Sequence, residues 1–136
     1  MAGRRRSRIL AFQFLFAEDL NAWEVFEAGL TAFCEKYALS EKDYPHFFTL
    51  VRGVRTQLDE IRHLLTAHSQ HWKIDRMSTV DRTLMKIAVF EMLYCDDVPA
   101  TVAINEAIEI SKRFSSEDAG RFINGVLDGV CKQLNL

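Results

Sequence analysis

Apolar residues recur along the chain at intervals of three and four, and convincing alternation at period two is absent, so the pattern predicts an all-α protein. Residues 8–20 carry Ile9, Leu10, Ala11, Phe12, Phe14, Leu15, Phe16 and Ala17, which cover more than one face of a helix. Such a helix is either central or presents a face to a partner. Residues 23–37 place Phe26, Leu30, Phe33 and Tyr37 on one stripe. Residues 44–67 set Tyr44, Phe47, Val51, Val54, Leu58, Ile61 and Leu65 in a near-heptad row, which predicts one long third helix.

In the second half, Ser78 followed three residues later by Asp81 reads as a capping box at the start of a fourth helix, with Val80, Leu84, Ile87 and Tyr94 as its apolar face. Asp96, Asp97 and Pro99 interrupt the pattern, because proline suits a helix's first turn and disfavours helix just before it. A fifth helix over 100–114 follows. Ser115 with Asp118 repeats the capping box, and Phe122, Ile123, Val126, Leu127, Val130 and Leu134 give a last helix its stripe. The polar stretch 68–77 predicts a turn between the halves. The expected architecture is two small bundles of three helices each, with subdomains over about 1–72 and 73–136 sharing one core in a single domain.

Composition agrees with a folded chain: 136 residues, 49% hydrophobic and 11% aromatic, suffice for one domain with a sizeable core. Cys34, Cys95 and Cys131 are odd in number, widely spaced and contain no CxxC pair, which argues against a disulfide framework and for a reducing, cytoplasmic setting. No run approaches the roughly 18 apolar residues of a membrane span. Charge changes the picture more. The formal net charge is −2, yet the first sixteen residues hold Arg4, Arg5, Arg6 and Arg8 and no acid, leaving 13 basic against 19 acidic residues elsewhere. A cationic end on an acidic body suits a small anion-binding tract, for a nucleic-acid backbone or another protein, and excludes a uniformly basic nucleic-acid binder.

Candidate chemistry is sparse. GxGxxG, GxxxxGK[ST], GxSxG and HExxH patterns are all missing, so neither an enzyme nor a cofactor is expected. His63, His68 and His71 have no cysteine or carboxylate at ligand spacing and read as a solvated helix end, not a metal site. The arginines precede the aromatic run Phe12, Phe14 and Phe16, a combination that suits single-stranded nucleic acid through paired phosphates and stacked bases. A solvated tail before core phenylalanines accounts equally well for the same residues. Asn105 and Glu106, a polar pair in an apolar helix, are expected to close a buried hydrogen-bond network.

The segment from Pro99 through Val102-Ala103-Ile104-Asn105-Glu106-Ala107 to Lys112-Arg113-Phe114, and then Phe122-Ile123-Asn124-Gly125-Val126-Leu127-Asp128, closely resembles the NusB family. The likeness extends to Val80-Asp81-Arg82, to Ile87-Ala88-Val89-Phe90-Glu91 and to the arginine tract, and is weak only over about 21–44. It implies two helical subdomains and a transcription antitermination factor that binds boxA-type RNA with the ribosomal protein NusE, acting in the transcription elongation complex. By position it implies RNA contacts from Arg4, Arg5, Arg6, Arg8, Phe16 and Phe122, with Phe16 standing where the family commonly has tyrosine. Asp81 and Asp118 match acidic positions implicated in RNA or NusE contacts, although both also serve as capping-box carboxylates. Two alternatives stand beside this. One is a purely protein-binding helical module, such as a homodimer through the aromatic first helix. The other is a fragment of an accessory domain like that fused to RNA cytosine methyltransferases.

Overall fold

The computed structural model describes residues 3–20, 25–69 and 77–136, and every regular element among them is a helix. The chain divides into two compact units, Met1–Gly53 and Val54–Leu136.

The first unit contains α1 (Arg4–Leu20), α2 (Phe26–Tyr37) and most of α3 (Pro45–Thr56). The predicted first helix thus begins four residues early, and the arginine tract is its opening turn. Aromatic rings form the centre: Phe14 meets Phe26 and Phe33 edge-on at 5.7 and 5.4 Å, and Phe33 stacks on Phe47 at 5.8 Å. Helix α2 ends where Ala38 takes a left-handed conformation (φ 56°) and the Leu39 amide donates to the Cys34 carbonyl at 2.9 Å, closing carbonyls that the helix leaves open.

The second unit holds α4 (Leu58–His68), α5 (Thr79–Tyr94), α6 (Ala100–Phe114) and α7 (Ala119–Gln133). Helix α5 packs on α4, α6 and α7, and its residues from Thr83 to Met92 are all buried, as its apolar sequence requires. Leu84, Met85 and Val89 meet the buried stripes of α4 (Ile61, Leu65) and α7 (Ile123, Leu127, Val130) in one core. Pro99 stands at the start of α6 as predicted, with no amide to leave unsatisfied.

Three expectations are corrected. The long third helix is two, because Gln57 leaves the helical region (φ −103°, ψ 21°) between α3 and α4. Arg55 in the last turn of α3 and Asp59 and Glu60 in the first turn of α4 match the partial charges of a helix end and a helix start, a signal that apolar periodicity does not register. The grouping is consequently not three and three: α4 packs with α5 and α7, and the units divide at Gly53, well before the polar stretch at 68–77. Residues 70–76 of that stretch lie outside the described residues. Finally, the second capping box does not form. Helix α7 starts after Asp118, whose side chain makes no cap hydrogen bond, while the Ser115 hydroxyl donates to Asp81 Oδ1 at 2.6 Å.

Candidate nucleic-acid interface

Arg4, Arg5 and Arg6 form the exposed first turn of α1, and the Ser7 amide closes that turn on the Gly3 carbonyl at 3.1 Å. Three cations and no acid stand in the opening turn, at the positive end of the helix dipole, where the local field favours an added anion. Five of the eight apolar residues named above for this helix are buried: Leu10, Ala11, Phe12, Phe14 and Leu15. Phe16 is half-buried, its ring 5.7 Å from that of Phe12. A cationic turn followed by a partly open aromatic ring on the same helix is the geometry in which phosphates pair and a base stacks.

Arg8 departs from expectation. It is 5% exposed and engaged within the protein, so its guanidinium is withdrawn from solvent and is not available to a phosphate as those of the first turn are. The reason is its place in the helix: one turn beyond Arg4, beside Ser7 and Ala11 on the buried stripe.

On α7, Phe122 is half-buried between exposed Arg121 and fully buried Ile123. It is neither a bare stacking platform nor a core residue. Asp81 is 9% exposed; its amide donates to Ser78 Oγ at 3.1 Å, the serine half of the predicted box, while its carboxylate accepts from Ser115, tying the start of α5 to the end of α6. Asp118, by contrast, is exposed at the head of α7. Asn105 is exposed, so the expected buried network around it is not what holds α6; the helix turns that side chain outward, and Glu106 alone of the pair is half-buried.

His63 is exposed and His68 hydrogen-bonds Gln133 Oε1 on α7, while His71 lies outside the described residues. Among the described residues no group of three His, Cys, Asp or Glu side chains is gathered for a metal, and no helix is long and apolar enough to cross a membrane.

One feature has no linear signature. Arg52 on α3 pairs with Glu27 at 2.6 Å and lies 3.8 Å from Glu41, above the Phe48 ring, at the rim of an open groove of about 410 Å³ floored by Leu30 and Leu39. Cys34 lines the same groove; burial pushes its thiol pKa up, opposed by the Arg52 charge and reinforced by Glu41.

The sequence pattern of the NusB family matches residues 5–132. A transcription antitermination protein NusB of Desulfosudis oleivorans is 57% identical over 136 residues, covering 98% of this chain and 88% of that one. Among solved structures, T. maritima NusB superimposes with a TM-score of 0.88 at 33% identity, over 97% of this chain and 92% of that one. A chain from the complex of antitermination factors NusB and NusE with double-stranded RNA shares the fold, with a TM-score of 0.83 at 24% identity over 96% of each chain. With a family match over nearly its whole length, motifs in α6 and α7 that agree with it and the same helical fold, this chain belongs to the NusB family.

Proposed function

We propose that this chain is a transcription antitermination factor that binds boxA-type single-stranded RNA together with NusE and so keeps RNA polymerase elongating. Family membership supports the class of function, and a relative of the same fold has been solved with NusE and RNA. The observation that carries the reading to this molecule is the opening of α1: Arg4, Arg5 and Arg6 exposed in one turn, with Phe16 partly open farther along the same helix. In this reading the three arginines pair with phosphates and Phe16 stacks on a base, with Phe122 a second aromatic contact on α7. Asp118, exposed at the head of α7, is the better placed of the two acidic residues for a partner. Asp81 contributes chiefly by holding the α5–α6 junction. The protein acts by binding, without a cofactor.

The test is a titration of labelled boxA-type RNA against the protein with and without NusE. Binding that NusE tightens, and that a scrambled RNA does not reproduce, supports the assignment. NusE capture without any RNA binding would leave a protein-binding module.

A further inference from the structure

Helix α1 poses a problem that its apolar residues do not solve. Ile9, Leu10, Phe12, Phe14, Leu15 and Phe16 extend round most of its circumference, so rolling the helix exchanges one apolar side chain for another at small cost. In the structure Phe12 and Phe14 are inside and Phe16 is at the boundary. Something directional must choose that roll, because one that buries Phe16 removes a stacking surface.

Arg8 is the residue with the required properties. The residue is 5% exposed and engaged within the protein, and a planar fork of donors tolerates little reorientation once buried. On a helical wheel Arg8 lies on the flank of the buried stripe that faces Phe16, about 80° away, while Arg5 and Phe16 lie within about 20° of each other. Buried polar groups are best attested in this role, as devices that fix register where hydrophobicity leaves it open. We propose that Arg8 is a positioning residue whose buried guanidinium sets the roll of α1 and thereby holds Phe16 at the surface beside the cationic turn. The inference rests on the RNA-binding reading above and departs from it in giving Arg8 no phosphate.

The experiment is a double-mutant cycle on RNA affinity, with NusE present at saturation and measured in the cold, combining Arg8→Gln with Phe16→Ala. Each single variant should bind boxA-type RNA about tenfold or more weakly, the scale of one lost base stack. The double variant should be no weaker than Phe16→Ala alone, because Arg8 acts through Phe16. The salt slope of Arg8→Gln should equal that of the parent chain, and Arg8→Lys should not restore affinity, since an ammonium lacks the fork. Additive losses, or a slope reduced by about 0.7, would make Arg8 an independent phosphate contact and overturn the proposal. If Arg8→Gln does not fold, arginine modification of the parent chain with phenylglyoxal decides. Arg8 unreactive with and without RNA, while Arg5 is protected by RNA, supports the proposal; Arg8 reactive when free and protected by RNA overturns it. No RNA binding by the parent chain defeats the functional reading and this inference together, whereas RNA binding with an additive cycle defeats this inference alone.

Discussion

At the scale of single residues, backbone and charge environments set sharp expectations. Ala38 closes α2 in a left-handed conformation that costs an L-residue with a Cβ about 1–2 kcal/mol, and glycine occupies it without that penalty. Ala38→Gly should therefore raise stability by about 1 kcal/mol, read as a higher urea midpoint at unchanged m-value, even though glycine entropy usually acts the other way. Cys34 supplies a pH-dependent counterpart. Burial raises its thiol pKa, so less thiolate is present at any given pH and alkylation by iodoacetamide should inflect above the pH of an ordinary thiol. The Arg52 charge lowers that pKa, so Arg52→Gln should move the inflection higher still and slow labelling at pH 8. An inflection that moves down would mean that Arg52 acts mainly by covering the thiol, its loss relieving more burial than it removes favourable charge.

Between elements, the approach of α4 to α7 hinges on a missing side chain. A Cβ built at Gly129 would stand 2.8 Å from His68 Nδ1, and the ring is fixed by its hydrogen bond to Gln133. Gly129→Ala should be net destabilising: overpacking costs about 1–3 kcal/mol, against the roughly 0.5–1 kcal/mol that alanine contributes in a helix. Gly125 is the control, four residues earlier on the same helix with nothing within 4 Å of its Cβ position. Gly125→Ala should stabilise by about 0.5–1 kcal/mol, and His68→Ala should relieve the Gly129→Ala defect. Equal melting shifts for the two glycine variants would refute the close approach. Neither glycine announces its role in the sequence, and the same limit explains what else was legible. The α5 cap at Ser78 and the proline start of α6 were readable because each depends on residues adjacent in the chain. The break at Gln57 was hidden by an apolar row that stays largely buried on both sides of it. Ser115 resembles a cap for the helix after it in the linear pattern because its partner, Asp81, lies 34 residues away. The candidate site shows the same division: the arginine tract and Phe16 could be picked out by type and order, but that three arginines are open and the fourth buried depends on how α1 packs.

For the whole molecule, the governing feature is a charge distribution in which a small cationic turn opens an otherwise acidic chain. Salt dependence reports how many of those cations neutralise phosphate. Each contact to single-stranded nucleic acid contributes about −0.7 to the log–log slope, so four arginines would supply about −3 and the three exposed ones about −2. Replacing Arg4, Arg5 and Arg6 by Gln should flatten the slope of RNA binding by about 2, and adding Arg8→Gln should flatten it no further. Stability separates the two sets again. Exposed Arg4, Arg5 and Arg6 oppose the dipole of α1 by about 0.3–1 kcal/mol each at low salt, which offsets the small contribution of their surface contacts, so the triple variant should melt close to the parent. Removing buried Arg8 strands whatever it engages and should lower the melting temperature. A triple variant that keeps the parent's salt slope would place the phosphate contacts elsewhere, on NusE or on α7, and would leave the opening turn of α1 without a role in RNA binding.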